Sequence, residues 1–91
     1  MITVYSKPAC PYCDMAKTYL SVHEIPHSVI DISIDDDAKQ FIVNQGHRTV
    51  PQIYIGQQVI EGGWSTLKTI KPEQLRDMLT QSVKSLQQGN T

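Results

Sequence analysis

The chain lacks most of what would mark a membrane or nucleic-acid protein. It has no long apolar run, so no segment is built to cross a bilayer. It has no excess of positive charge: 8 Lys and Arg face 9 Asp and Glu, for a net charge of −1. That weighs against a non-specific nucleic-acid binder and against a polybasic membrane-surface module. The opening MITVYSKPAC lacks the basic stretch and apolar core of a secretory leader. The expected location is therefore the cytoplasm, with no membrane and no nucleic acid as partner. Repeats, low-complexity tracts and linkers are absent, and 91 residues suit one domain spanning 1–91. Cysteine is scarce as well, with 2 in the chain. In a reducing cytosol two thiols make a poor structural staple. Cys10 and Cys13 also enclose so short a loop that bridging them restricts the unfolded chain little. Their spacing asks for chemistry instead.

What is present reads as alternating strands and helices. Ile2 to Tyr5 is β-branched and aromatic, with Ile2 and Val4 on one face, and predicts a strand. Pro11 suits the first position of a helix, which is expected to run to His23. Cys13, Ala16 and Leu20 share one side of it; Tyr12, Met15, Tyr19 and Val22 share another. Apolar on both sides, this helix is expected to pack closely against a sheet. His27 to Ile34 predicts a second strand. Asp35, Asp36 and Asp37 then open a helix as cap and dipole partners, a reading preferred to a metal site because no second ligand cluster supports one. Ala38, Phe41 and Ile42 form its inner face, and Gly46 is its expected C-cap. Gln52 to Ile55 and Val59 to Glu61 predict a hairpin turning at Gly56-Gln57. Gly62-Gly63 breaks the chain, and Trp64 to Ile70 predicts a short helix. Pro72 opens a last helix with a stripe of Leu75, Met78, Leu79, Val83 and Leu86, and Gln87 to Thr91 is expected to fray. The order β-α-β-α-β-β-α describes an α/β fold: a mixed sheet with helices on both faces.

Cys10 falls where a loop gives way to a helix. Unpaired N–H groups and the positive end of the dipole stabilise a thiolate there, and Lys7 can add charge. A free thiol has a pKa of about 8.5, whereas a helix-terminal Cys-x-x-Cys thiol falls to about 3.5–7.5. Cys13, one turn deeper and on the inward side, is expected to stay protonated until a mixed disulfide forms on Cys10. The pair thus supplies a nucleophile and a resolving thiol. Pro11 stiffens the turn, and Tyr12 offers a flat wall beside the sulfur. Zinc would need four ligands. The chain has no second cysteine pair, and His23, His27 and His47 show no matching spacing. No metal is expected.

At these residues the chain resembles the glutaredoxins. The resemblance runs along nearly the whole length. It rests on SKPACPYC (Ser6 to Cys13), RTVPQIYI (Arg48 to Ile55) and Gly62-Gly63. CPYC is the dithiol glutaredoxin active-site sequence. The resemblance implies a thioredoxin-like fold with a four-stranded mixed sheet and with Pro51 in cis beside the dithiol. It implies that the backbone of Val50 pairs with glutathione, a peptide-like co-substrate, and that no cofactor is permanently bound. By the same resemblance Lys7 and Arg48 are candidate carboxylate contacts, Tyr12 packs near the glutathione sulfur, and Thr49 to Pro51 form the glutathione-binding edge. For Arg48 a solvated loop cation stays an equal reading. Backbone N–H groups at Ser65 and Thr66 are expected to receive the γ-glutamyl carboxylate.

The chain departs from that pattern where many glutaredoxins carry an acid. Ser65 and Thr66 offer only hydroxyls to the glutathione ammonium, and a lost charge-assisted hydrogen bond costs roughly 1.5–3 kcal/mol. Trp64 stands where the residue is often small, either compensating by packing or anchoring the short helix. Two other readings follow. Trp64-Ser65 and Lys71-Pro72-Glu73 echo glutaredoxin-like redoxins that draw electrons from thioredoxin reductase and feed ribonucleotide reductase. A dimer bridging an iron-sulfur cluster through Cys10 and glutathione is the third reading, disfavoured by Pro11. The expected protein is a monomeric, glutathione-dependent dithiol-disulfide oxidoreductase, with ribonucleotide reductase a family-level candidate partner.

Overall fold

The computed structural model describes residues 2–89, with side chains described for residues 2–80. Strand β1 (Ile2–Ser6) is followed by α1 (Pro11–Val22), β2 (His27–Asp31), α2 (Asp36–Asn44), β3 (Gln52–Ile55), β4 (Gln58–Ile60), α3 (Trp64–Leu67) and α4 (Pro72–Gly89). The four strands form one mixed sheet in the order β2-β1-β3-β4. β1 and β2 pair in parallel, with α1 as their crossover, while β3 and β4 add antiparallel. This is the thioredoxin-like α/β arrangement.

Alternation along the central strands separates the two faces. Ile2 pairs with Ile55 and Val4 with Ile53, and all four join one buried cluster. Ala16 and Leu20 of α1, Ile25, Ile60 of β4, Leu67 of α3 and Leu75 of α4 complete it. On the other face Tyr5, Tyr54 and Phe41 of α2 pack in edge-on and tilted pairs, with ring centroids 5.5–5.7 Å apart. Truncating a fully buried side chain such as Leu20 or Ile53 to alanine would cost about 2–5 kcal/mol.

Several expected boundaries move, each for a local reason. The second strand stops at Asp31 rather than Ile34. The Asp31 carboxylate accepts the Ser33 N–H at 2.8 Å and the Ser33 hydroxyl at 2.6 Å, which turns the chain. Ile34 is left 82% exposed. Helix α2 begins as expected, with Asp35 accepting from the Ala38 N–H at 2.9 Å. Its C-cap is Gln45, and Gly46 is the next residue, at φ +86°. The Gly46 N–H reaches Val43 and the His47 N–H reaches Ile42, each at 3.0 Å, closing a Schellman turn.

Helix α1 is not buried on both sides. Cys13, Ala16 and Leu20 face the sheet, but Tyr12 is 61% and Val22 68% exposed, and Met15 is exposed too. One layer of sheet can cover one stripe of a helix. Of the second stripe, Tyr19 is held, packing edge-on against Trp64 and donating its hydroxyl to the Ile70 carbonyl. In α4, Leu75 is buried and Met78 and Leu79 pack on the core, whereas the side chains of Val83 and Leu86 lie outside the described residues. The helix continues through Gly89, where fraying was expected, because no helix breaker precedes that glycine; Asn90 and Thr91 lie outside the described residues. Among the described residues no helix is long and apolar enough to cross a membrane.

Candidate functional site

The site is built where β1 ends and α1 begins. Cys10 is the N-cap of α1, in an extended conformation, with Pro11 as the first helical residue. Its sulfur accepts the backbone N–H of Cys13 at 3.2 Å, the role a serine or aspartate oxygen takes at most helix starts. Cys10 and Cys13 are joined as a disulfide, with Cα atoms 5.2 Å apart. Cys10 is 7% exposed and Cys13 fully buried. The shallower sulfur is thus the one an incoming group meets first.

Across from the dithiol lies the start of β3. The Val50–Pro51 peptide is cis, and the Val50 carbonyl oxygen is 3.9 Å from Cys10 Sγ. The Val50 N–H has no hydrogen-bond partner among the described residues. Gln52 pins the preceding loop: its buried amide donates to the Thr49 carbonyl at 2.8 Å. Gly63 closes the other side. At φ +56° it packs so tightly that a Cβ there would lie 2.7 Å from the Pro51 carbonyl oxygen. Only glycine meets both conditions comfortably.

Between these walls runs a groove of about 360 Å³. Among the sequence-predicted residues it is lined by Tyr12, Thr49, Val50, Pro51 and Ser65. Lys7 and Arg48 are exposed, line no part of it, and make no ion pair among the described residues. Thr66 is also outside the groove. Its N–H is donated to the Gly63 carbonyl at 3.2 Å, and its hydroxyl occupies the space beside Gly62. Of the two expected backbone donors, only the Ser65 N–H is free among the described residues. Trp64 lines the groove and also packs edge-on against Tyr19 and on the core, which anchors the short helix.

Three further polar residues line the groove, none of them marked as a ligand contact by the sequence: His47, Gln52 and Glu61. His47 Nε2 meets the Tyr54 hydroxyl at 2.7 Å. Burial pushes the Tyr54 phenol above its ordinary pKa, and the Tyr5 and Glu61 charges add to this. Position alone could have flagged them. His47 and Gln52 flank Arg48 to Pro51, and Glu61 directly precedes Gly62-Gly63. No group of three metal-ligating side chains occurs among the described residues.

A dithiol capping a helix, opposed by a cis-proline edge on a thioredoxin-like sheet, defines a thiol-disulfide oxidoreductase. Comparison with known proteins narrows the class. The Glutaredoxin family profile matches residues 2–60. A Neisseria meningitidis glutaredoxin is 37% identical over 75 residues, which cover 79% of this chain and 86% of that protein. The chain belongs to the glutaredoxin family. A buckwheat glutaredoxin-glutathione complex superposes with a TM-score of 0.69 at 30% identity, covering 88% of this chain and 76% of that one. The Lactococcus lactis glutaredoxin-like protein NrdH is 40% identical over 53 residues, covering 58% of this chain and 74% of that protein.

Proposed function

We propose that this single-domain protein is a cytoplasmic, monomeric glutaredoxin that uses glutathione to reduce protein disulfides and glutathione mixed disulfides. The observation that carries the reading is the nearness of the groove's Val50–Pro51 edge to the dithiol. Val50 and Pro51 line it, and the Val50 carbonyl lies 3.9 Å from Cys10 Sγ. An extended thiol peptide pairing with the Val50 backbone brings its own sulfur to Cys10. The buckwheat relative's structure with glutathione supports the same ligand.

The Cys10 thiolate attacks the glutathione sulfur of a mixed disulfide. The old S–S bond breaks, and the substrate leaves as a thiolate that takes a proton. A second glutathione thiolate then attacks the glutathionylated Cys10, yielding oxidised glutathione and regenerating the Cys10 thiolate. With a protein disulfide, Cys13 attacks the mixed disulfide instead and releases the reduced protein. The Cys10–Cys13 disulfide remains, the state seen here. Two glutathiones reduce it. No permanent cofactor or metal takes part.

In this reading Tyr12 flanks the reacting sulfurs, and Thr49, Val50 and Pro51 form the pairing edge. The Ser65 N–H takes a carboxylate, with Thr66 supporting that turn. Lys7 and Arg48, three and two residues from Cys10 and Val50, swing their charges to the carboxylates. The expected potential is about −200 to −230 mV. Ribonucleotide reductase is one candidate protein substrate.

The NrdH relative and the Trp64-Ser65 pair favour a second reading, in which thioredoxin reductase supplies the electrons. One assay separates the two. The oxidised protein is offered NADPH with glutathione and glutathione reductase, or NADPH with thioredoxin reductase. Turnover in the glutathione arm alone supports the proposal; turnover in the other arm alone overturns it.

A further inference from the structure

At neutral pH glutathione carries one ammonium, on its γ-glutamyl end. Among the residues lining the groove, one is acidic: Glu61. It is exposed and makes no ion pair among the described residues. No lysine or arginine lines the groove to neutralise it.

The backbone fixes where that charge stands. Ile60, just before it, is buried at the end of β4. The Gly63 N–H returns to the Ile60 carbonyl at 3.3 Å, which places Glu61 at the tip of a turn. Gly63 in turn packs on the Pro51 carbonyl. Glu61 is therefore held in register with the Val50–Pro51 edge, where the peptide part of the ligand pairs. The carboxylate also stands near enough to Tyr54 to oppose ionisation of its phenol. Its field thus reaches toward Tyr54, whose hydroxyl meets the groove residue His47.

We infer that Glu61 recognises the α-ammonium of glutathione's γ-glutamyl end, as a carboxylate placed before the Gly62-Gly63 turn. This inference rests on the proposed use of glutathione. It assigns Glu61 a specificity role and no part in bond making.

The test compares the wild type and Glu61→Gln on two thiols, glutathione and its glutaryl analogue, which lacks only the amino group. An exposed pair of this kind is worth a few-fold in affinity, so E61Q is expected to raise the KM for glutathione about fivefold with kcat unchanged. Added salt narrows the gap. The two proteins behave alike on the glutaryl analogue. The same comparison in a His47→Gln background keeps the gap; its disappearance there would show that Glu61 acts by holding His47 and would overturn the inference. Equal KM values for glutathione would also overturn it, while leaving the proposed function standing. No glutathione turnover by either protein, with turnover through thioredoxin reductase, would instead remove the reading beneath it.

Discussion

The sulfur of Cys10 accepts the backbone N–H of Cys13 at 3.2 Å, so the first cysteine of the dithiol is itself the cap of helix α1. The capping bond and the positive helix end both favour negative charge on that sulfur. Cys13, fully buried one turn along, sits farther from the helix end. The structure thus makes the two thiols chemically unequal once the bridge is reduced. In the reduced protein, iodoacetamide is expected to modify Cys10 first. The alkylation rate should begin to fall only at a pH below the range of an ordinary thiol, about 8.5. Peptide mapping after a short pulse, repeated across pH, reads both. A rate still climbing through pH about 8.5 would show an ordinary thiol.

Gly63 carries two constraints at once, φ +56° and a Cβ position 2.7 Å from the Pro51 carbonyl oxygen. Gly63→Ala should therefore destabilise the fold by about 1–3 kcal/mol, through backbone strain and overpacking. It should also push α3 away from the Val50–Pro51 edge and raise the KM for glutathione. Urea unfolding and steady-state kinetics measure the two effects. An unchanged midpoint would mean that the turn relaxes freely.

Glu24 ends α1 in the left-handed region, at φ +56°. The Glu24 N–H reaches Ser21 at 3.1 Å and the Ile25 N–H reaches Leu20 at 2.8 Å, a Schellman turn like that at Gly46 but without the glycine. Glu24→Gly should stabilise the protein by about 1 kcal/mol, since a side chain is disfavoured there by that order. For a chain of this size that raises Tm by about 4–8 °C. Differential scanning calorimetry decides it, and a lowered Tm would contradict the argument.

Asp31 ends β2 with a pH-sensitive turn. The hydrogen bond from the Ser33 hydroxyl, then that from its N–H, holds the carboxyl below its ordinary pKa, against a small opposing effect of burial and with help from Lys17. A carboxyl depressed on folding stabilises the folded state above its unfolded pKa. That contribution is lost as the pH falls through the folded value. Ser33→Ala should move the Asp31 pKa up toward the ordinary value and flatten the acid side of the stability curve. Carboxyl NMR titration follows it directly; an unmoved pKa in the variant would show that the Ser33 hydroxyl is not the cause.

Much of this was legible in the sequence because local chemistry decided it. Pro11 after Cys10 marked the helix start, the Asp35 cap marked α2, and alternating Ile2 and Val4 marked the buried face of β1. What escaped was set by distant contacts or by side chains competing with the backbone. Nothing in HSVIDISI shows that Ser33 turns the chain at Asp31. The spacing of Tyr12, Met15 and Val22 is that of a buried stripe, but no second layer covers them. Glu61, His47 and Gln52 reach the groove because β4 and the loop before β3 meet there, a juxtaposition made by the sheet. Thr66 reads as a free donor until the turn at Gly63 is seen to consume its N–H.

The central claim is that Cys10 exchanges its thiolate with glutathione and that Cys13 resolves the product. Trapping tests it most directly. Reduced Cys13→Ser is incubated with oxidised glutathione and analysed as intact protein and as peptides by mass spectrometry. The account predicts one glutathione per chain, on Cys10, and retained reduction of glutathionylated substrates with loss of the dithiol route. Cys10→Ser, treated alike, should show no exchange activity. A Cys13→Ser protein that takes up no glutathione, or a Cys10→Ser protein that keeps its activity, would contradict it.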